Sequence, residues 1–265
     1  MRDGHIHTPY CPHGTLDSLK EYVEKAIHVG YSTMTFTEHA PLPPSFVDPV
    51  PDKDSGMNAQ DVEQYLKDLN GLKAEYEKDI TIFAGFELDY ISGYEKETEA
   101  FLTQYGPELD DGILSVHFLQ GNSGWYCLDF SPDMFREAVL DFGGIEQMYE
   151  AYFRQVRASI ETDLGPFKPS RIGHMTLIRK FHELFPSPSN WQQMAVEVLR
   201  SASDHHVELD YNGAGTQKPH CNETYPTKPI AEQAHAMGIP LVYGSDAHSA
   251  SGLKQGYQQL SNVCR

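Results

Sequence analysis

The chain has 265 residues and a formal net charge of −18 at pH 7, with 38 acidic and 20 basic side chains. Such a surface repels nucleic acid and anionic membranes, and it repels phosphorylated ligands unless bound divalent cations make the site locally positive. Hydrophobic residues make up 40% of the chain, enough for a sizeable core, but no apolar run approaches the roughly 20 residues of a membrane span. The N-terminus lacks the basic-then-apolar pattern of a signal sequence, so we expect a cytoplasmic protein with one domain over residues 1–265.

Short β-like runs alternate with helical segments along the chain. Strands are predicted over residues 2–7, 33–37, 80–86, 112–116, 171–173, 206–210 and 240–243. Helices are predicted over about 16–29, 59–78, 94–105, 132–162 with a break near Gly143-Gly144, 189–203, 227–237 and 252–263. Thr15 or Asp17 could cap the first helix. The proline-rich loop over 40–58 is either a functional lid or a surface excursion.

This alternation predicts parallel strands joined by right-handed helical crossovers. Seven such units can close into an α/β barrel that is similar to a TIM barrel with one unit missing. In barrels of that type the active site lies at the C-terminal ends of the strands. The side chains that follow each predicted strand are therefore the candidates for such a site.

Histidine or carboxylate side chains mark six of the seven predicted strand endings. His5 and His7 leave the same face of the first strand because side chains alternate along an extended chain. The other strand-end candidates, with His13 from the loop after the first strand, are His39, Glu87, His117, His174, Asp246 and His248. Seven of the 13 histidines belong to this set, and the other six fall in predicted helices, loops or strand entrances. The pattern predicts a converging metal cluster.

The candidate ligands outnumber the three or four that a single open catalytic site needs, so we expect more than one ion. A carboxylate such as Glu87 can bridge two ions. Two ions roughly 3.5–4 Å apart can hold a hydroxide between them and clamp a phosphoryl group. Imidazole combined with carboxylate suits Zn, Mn or Fe better than Ca.

The motifs around these residues resemble those of the PHP (polymerase and histidinol phosphatase) family across the whole chain. They are His5-Ile6-His7 with His13; Thr37-Glu38-His39; Gly85-Phe86-Glu87 with Ser115-Val116-His117; and His174 with Ser245-Asp246-Ala247-His248. The resemblance implies a distorted (βα)7 barrel that binds three divalent ions. It implies one site of His5, His7, Glu87 and Asp246, a second of Glu87, His117 and His174, and a third of His13, His39 and His248.

Several further stretches resemble the histidinol-phosphate phosphatases of this family. They are residues 37–43, 86–90, 112–119 and 209–212, with Arg179-Lys180 after His174. The resemblance implies hydrolysis of L-histidinol phosphate in histidine biosynthesis, by attack of a hydroxide that bridges metal ions. Glu87, Asp246 and His248 are the candidate catalytic residues, and Asp246 or His248 could protonate the leaving group.

Three basic residues are candidates for binding the substrate phosphate. Arg179 suits bidentate phosphate recognition, and Lys180 and Lys218 could serve as well; alternatively, Arg179 and Lys180 form a solvated basic pair. The substrate amine could pair with Glu208, Asp210 or Asp89, and Asp89 could instead be an outer carboxylate of the metal site or a helix cap. The substrate imidazole could pack against Trp125, Tyr126 and Phe118, unless these belong to the core.

We expect a small phosphorylated substrate as the partner, with neither nucleic acid nor membrane. One alternative is a PHP phosphoesterase that acts on a nucleotide or another small phosphate ester. A second alternative is a non-catalytic, metal-binding accessory domain. The four cysteines include no Cys-x-x-Cys pair and are predicted to be free thiols. Cys11, although it falls between His7 and His13, is not counted among the ligands.

Overall fold

The computed structural model describes residues 1–260, and its centre is a parallel sheet that curves into a nearly closed barrel. The strands of the described residues are β1 Arg2–Ile6, β2 Thr33–His39, β3 Thr81–Asp89, β4 Asp111–Ser115, β5 Phe118–Gln120, β6 Trp125–Cys127, β7 Arg171–Ile172, β8 Glu208–Asn212 and β9 Leu241–Gly244. The parallel sheet has the order β1-β2-β3-β4-β7-β8-β9, while β5 and β6 form a separate antiparallel hairpin. The predicted seven-unit barrel is confirmed.

The first and last strands of the sheet meet beyond their C-terminal ends. The amide of His7 donates to the carbonyl of Ala247 at 3.0 Å, and the amide of Asp246 donates to the carbonyl of His5 at 2.7 Å. These bonds place His5, the first candidate ligand in the chain, beside Asp246, which is 241 residues later.

Helices connect the strands and cover the outside of the barrel. They are α1 Leu19–His28, α2 Val62–Glu75, α3 Glu95–Tyr105, α4 Pro132–Asp141, α5 Ile145–Glu161, α6 Trp191–Asp204 and α7 Lys228–Ala236. The predicted break between α4 and α5 is confirmed: Gly143 and Gly144 have φ values of 84° and 146°, which favour glycine. No helix in residues 1–260 is both long and apolar enough to cross a bilayer.

Two helix predictions were wrong in detail. The first helix begins at Leu19 rather than near residue 16, because Ser18 forms a capping box with Glu21. Asp17, a predicted cap, instead accepts a hydrogen bond from the amide of Ala250. The helix predicted over 252–263 does not form in residues 252–260, which contain only short 3-10 turns. The reason is that Gly256 adopts a left-handed φ of 69°. Residues 261–263 of that prediction lie outside the described residues.

The core is continuous from the barrel to the inner faces of the helices. Phe36, Phe86 and Leu209 on the strands are fully buried, as are Tyr22 of α1 and Tyr149 of α5. Each such side chain contributes about 1.5–3 kcal/mol through burial. Among the described residues three cysteines are free, as predicted, and all three are buried; Cys264 lies outside the described range.

Candidate metal centre

The predicted ligands converge at the C-terminal edge of the barrel, around a cavity of about 350 Å³. His5 and His7, at the end of β1, are fully buried against Glu87 and Asp246. The remaining members of the set line the cavity: His13, His39, Glu87, His117, His174, Asp246 and His248. Parallel strands explain this convergence, since all their C-terminal ends meet at one edge.

The first cluster joins His5, His7, Glu87 and Asp246. The Nε2 atoms of His5 and His7 lie 3.2 Å apart, and Glu87 Oε2 lies 3.2 Å and 3.5 Å from them. Asp246 Oδ1 lies 3.2 Å from His7 Nε2 and 3.8 Å from His5 Nε2. Ligand atoms about 2.0–2.2 Å from a tetrahedral zinc ion lie about 3.4 Å from one another. The four donor atoms therefore fit one divalent ion.

The second cluster uses the other oxygen of Glu87. Glu87 Oε1 lies 2.8 Å from His174 Nε2, which in turn lies 3.2 Å from His117 Nε2. Ser115 donates a hydrogen bond to the same oxygen at 2.6 Å. Because its two oxygens face different histidine clusters, Glu87 is placed to bridge two ions.

The third predicted set is also brought together. The ring of His13 lies 5.2 Å from that of His39 and 5.1 Å from that of His248, measured between centroids. His13 Nδ1 hydrogen-bonds to the carbonyl of Asp54, which orients the exposed imidazole. His39 is buried, and its Nδ1 lies 3.2 Å from Glu87 Oε2 without forming an aligned hydrogen bond. A metal ion held by these two donor atoms would satisfy the buried nitrogen.

Carboxylates behind the histidines orient three of them. Asp210 Oδ2 lies 2.8 Å from His5 Nδ1, Glu38 Oε1 lies 3.1 Å from His7 Nδ1, and Asp89 Oδ1 lies 2.8 Å from His117 Nδ1. Each bond fixes the ring so that Nε2 faces the cluster, as is usual around protein metal sites. A Cβ atom at Gly244 would overlap Asp210 Oδ1 and His5 Cβ, so this pair requires glycine there.

These outer carboxylates change the prediction of which residues bind the substrate amine. Asp210 and Asp89 have histidine partners, which matches the alternative considered for Asp89 rather than the pairing with a substrate amine. Glu208 begins β8 and therefore lies at the opposite edge of the sheet from the cavity. Sequence reasoning gave Glu38 no role, although a carboxylate beside a ligand histidine in Thr37-Glu38-His39 was an available signal.

Imidazole and carboxylate groups lie close together in the site and shift one another's pKa values. Burial lowers the pKa of His7, but hydrogen bonds to Asp246 and Glu38 outweigh it and raise the pKa to about 9. Burial likewise lowers the pKa of His117, and the charge of Asp89 raises it to about 10. For Glu87, burial raises the pKa, but the neighbouring histidines hold it well below its usual value. Binding of divalent cations would replace these imidazolium charges, since metal ions bind neutral imidazole.

Arg179, predicted to bind phosphate, is turned away from the cavity. Its guanidinium forms a bidentate ion pair with Glu223 at 2.8–3.0 Å, donates to Ser187 at 2.6 Å and stacks 4.1 Å above the ring of Trp191. A guanidinium with these partners has little capacity left for a ligand. The structure thus does not bring Arg179 into the site.

Both candidate lysines line the cavity. The Lys180 ammonium donates to the backbone carbonyl of Asp129 at 2.6 Å and to its carboxylate at 3.1 Å, so its charge is partly compensated. The half-buried Lys218 forms no side-chain hydrogen bond or ion pair with any described residue. The pKa of His248 is lowered by burial and by the cationic side chains around it, and Lys218 is one of these.

The loop over residues 40–58 forms one wall of the cavity, through Val50, Asp54 and Ser55. The Phe46 ring packs 5.1 Å from that of Phe118 and 5.3 Å from that of Trp125. Of the three aromatic residues predicted to contact a substrate ring, Phe118 lines the cavity, whereas Trp125 and Tyr126 do not. Trp125 instead packs against the loop.

The PHP domain family matches residues 3–214. The histidinol-phosphatase of Bacillus subtilis is 45% identical over 265 residues, covering 99% of each chain. A protein of Deinococcus radiodurans, named a probable histidinol-phosphatase, is 32% identical over 93% of this chain and 85% of its own length.

Solved structures show the same fold. The crystal structure of a candidate histidinol phosphatase from Listeria monocytogenes has a TM-score of 0.94 and 41% identity, covering 98% of this chain and 99% of the other. A histidinol phosphate phosphatase from Lactococcus lactis, crystallised with zinc, L-histidinol and phosphate, has a TM-score of 0.66 at 17% identity. That match covers 94% of this chain and 86% of the other, and it shows the fold alone.

Proposed function

Because the chain belongs to the PHP domain family, we propose that it is a metal-dependent phosphatase that hydrolyses L-histidinol phosphate to L-histidinol and phosphate. Metal-dependent hydrolysis is proposed because the two carboxylate oxygens of Glu87 face two separate histidine clusters. The substrate follows from the 45% identity to the Bacillus subtilis histidinol-phosphatase over nearly all of both chains. The reaction belongs to histidine biosynthesis and takes place in the cytoplasm.

Three divalent ions, of Zn, Mn or Fe, are proposed for the centre, held by the nine predicted ligands. Neutral imidazole and carboxylate donors suit these ions. When bound, such ions polarise phosphoryl oxygens and lower the pKa of water enough to provide a nucleophile near neutral pH. Ser115 fixes Glu87, while Asp210, Glu38 and Asp89 fix the imidazoles, so the site is preorganised before substrate arrives.

The cavity suits a small phosphate monoester. Its volume of about 350 Å³ is at the lower end of the usual range for small-molecule pockets. Lys218 is proposed as the main cationic contact to the phosphate, with Lys180 as the second, since both line the cavity. The net charge of −18 opposes binding of a long polyanion.

The cationic amine of the substrate requires an anionic partner. Among the carboxylates that line the cavity, Glu87 and Asp246 contact the ligand histidines, Asp89 contacts His117, and Asp129 contacts Lys180. The side chain of Asp54 has no such partner within residues 1–260, and we assign it the ammonium group.

The departing alkoxide requires a proton. Asp246 and His248 lie together at the cavity wall, with His248 Nδ1 3.6 Å from Asp246 Oδ1. Asp246 also adopts a left-handed φ of 52°, which is uncommon for a residue other than glycine and clusters at functional sites. Both residues are also proposed metal ligands, and their pKa values are lowered well below the usual ones, so neither is the proton source itself. They are proposed to orient a water molecule that gives its proton to the alkoxide oxygen, and the hydroxide left behind replaces the one consumed in the attack.

A substrate panel tests this function. Phosphate release is measured from L-histidinol phosphate, nucleoside monophosphates and sugar phosphates in the presence of zinc or manganese. The proposal predicts turnover of L-histidinol phosphate well above the other esters. Preference for a nucleotide would keep the hydrolytic class and reject the substrate. No turnover by protein that retains its metals would favour a non-catalytic metal-binding domain.

A further inference from the structure

The loop over residues 40–58 has a small apolar core of its own, and Phe46 lies at its centre. We propose that Phe46 is a positioning residue. It holds the loop so that the Asp54 carboxylate stays at the cavity wall and selects phosphate esters that carry a cationic amine. This role rests on the proposed function, in which Asp54 binds the ammonium group, and it extends that function to a residue outside the cavity.

Three aromatic rings enclose the side chain of Phe46. Its ring centroid lies 5.2 Å from that of Tyr94, 5.1 Å from that of Phe118 and 5.3 Å from that of Trp125, and all three pairs meet edge to face. This is a preferred arrangement for aromatic pairs. The side chain is 8% exposed. Phe46 therefore fixes the loop against the start of α3, through Tyr94, and against the hairpin of β5 and β6.

The apolar cluster around Phe46 is separate from the main core. Its buried members are Phe46, Val50, Ile91, Phe118 and Cys127, whereas the barrel and its helices share a second, much larger cluster. Small satellite clusters of this kind are typical beneath long loops. Val50 and Phe118 also line the cavity, so the cluster reaches the site. Removing the Phe46 ring should therefore loosen the loop while the barrel stays folded.

Hydrogen bonds within the loop connect Phe46 to Asp54. The buried carboxylate of Asp48 accepts hydrogen bonds from the amide of Val50 at 2.9 Å and from the amide of Ser55 at 3.1 Å. The Lys53 ammonium donates to the backbone carbonyl of Asp48. These bonds close residues 48–55 into one compact turn, so this segment should move together with Phe46.

At its far end the loop meets the candidate metal centre. His13 Nδ1 donates to the backbone carbonyl of Asp54 at 2.9 Å, and the amide of Met57 donates to the carbonyl of His39 at 3.2 Å. The Asp54 carboxylate is thus held at a set place relative to the ions that would bind the phosphate. Displacement of a binding group by about 1 Å can cost about 100-fold in rate, so a loosened loop should lose its contact with the ammonium group.

Two substrates that differ only in the amine test this role. L-histidinol phosphate carries the amine, and 3-(imidazol-4-yl)propyl phosphate lacks it. With the metals at saturation, the wild type should have a KM about 10- to 100-fold lower for the amine-bearing ester, the range expected for a hydrogen bond between charged groups. Phe46→Ala should lose most of this preference through a higher KM for L-histidinol phosphate. The KM for the amine-free ester and kcat for both esters should stay close to those of the wild type.

Four further variants separate positioning from a general loss of stability. Phe46→Leu refills much of the space and should recover part of the preference. Val47→Ala changes the next side chain, which is 74% exposed, and should match the wild type. Leu199→Ala, in the main core on α6, should lower stability and keep the preference. Asp54→Asn should remove the preference, and adding Phe46→Ala to it should change nothing more.

The outcomes distinguish this role from the proposed function. A wild type that hydrolyses both esters without preferring the amine would overturn the role and keep the phosphatase. Full preference in Phe46→Ala, or an equal loss in Leu199→Ala, would overturn the role as well. Calorimetric titration with L-histidinol and with 3-(imidazol-4-yl)propan-1-ol repeats the comparison without turnover. Selective binding of L-histidinol that is lost in Phe46→Ala, by a protein that does not hydrolyse the phosphate ester, would support the role and reject the phosphatase.

Discussion

Glu87 and His174, which lie 87 positions apart in the sequence, meet through Oε1 and Nε2 at 2.8 Å. The other carboxylate oxygen of Glu87 lies 3.2 Å from His5 Nε2. The residue therefore connects a histidine cluster from the N-terminal strand with one from the middle of the chain. A carboxylate in this position can be shared by two metal ions, so the cavity is best interpreted as a multinuclear metal site.

Glu87→Gln should remove bound metal and phosphatase activity together. The amide keeps the shape of the side chain but removes the negative charge that two ions would share. We expect metal content to fall and activity to drop to that of chelator-treated wild type. Elemental analysis and phosphate release from the same sample provide the measurement. His28→Ala, on the exposed face of α1, is the control and should match the wild type; normal turnover by Glu87→Gln would reject the bridging role.

Asp89→Asn should weaken metal binding without unfolding the barrel. Asp89 orients His117 through its 2.8 Å bond to Nδ1, and loss of such a partner typically costs about 10–100-fold in metal affinity. Competition with a chelator of known affinity measures the change. Asp133→Asn is the matched control, since Asp133 is 84% exposed and, within residues 1–260, forms its ion pair with Arg136 on the surface. Equal affinities in the two variants would contradict the orienting role.

Metal binding should release protons. The pKa of His7 is about 9 and that of His117 about 10 in the metal-free protein, so both are protonated at pH 7. Metal binds neutral imidazole, so each of these residues should lose about one proton on binding. Affinity should therefore rise between pH 6 and 8 and level off above about pH 10, where both are already neutral. Calorimetry in buffers of different ionisation enthalpy measures the release, and an affinity that falls over pH 6–8 would contradict the charge assignment.

Lys218→Ala should raise KM for L-histidinol phosphate by about 10- to 100-fold, the range expected for loss of a hydrogen bond to a charged group. Initial-rate kinetics with the metals at saturation measure the effect. The charge-conserving Lys218→Arg should recover part of the loss. An unchanged KM in Lys218→Ala would transfer the phosphate contact to Lys180.

Arg179→Ala should behave differently, because its guanidinium is part of the scaffold. Loss of the contacts to Glu223 and Ser187 should lower the free energy of unfolding by about 1–3 kcal/mol, a discounted value because the Glu223 side chain is 33% exposed. Denaturant unfolding measures the change, and KM should remain close to that of the wild type. A large rise in KM without loss of stability would restore Arg179 to the substrate site.

The strand endings were predictable because they depend on local pattern. A short apolar run followed by histidine or carboxylate identifies both a buried strand and a polar residue at its end, as at Thr37-Glu38-His39. Parallel strands then place all these ends at one edge of the sheet. The seven-unit barrel and the convergence of the candidate ligands at one edge follow from these two facts, whereas the grouping into three sites came from the resemblance to the PHP family. The barrel is confirmed, and the structure brings the candidate ligands together.

Other features depend on contacts between distant residues that no local pattern reveals. Arg179 pairs with Glu223, 44 positions later, which the basic pair Arg179-Lys180 does not indicate. The hairpin of β5 and β6 occupies a stretch in which no strand was predicted, because its short strands lack a clear alternation. Cys11 was set aside as a loop thiol, and only the folded loop brings its sulfur to the imidazoles.

The most direct measurement is phosphate release from L-histidinol phosphate by one protein sample in three states: as purified, after exhaustive chelation, and after titration with zinc or manganese. The account predicts rapid release as purified, loss of activity on chelation, and recovery that rises with the metal bound until the site is filled. Release that persists in protein shown to be free of metal would contradict it.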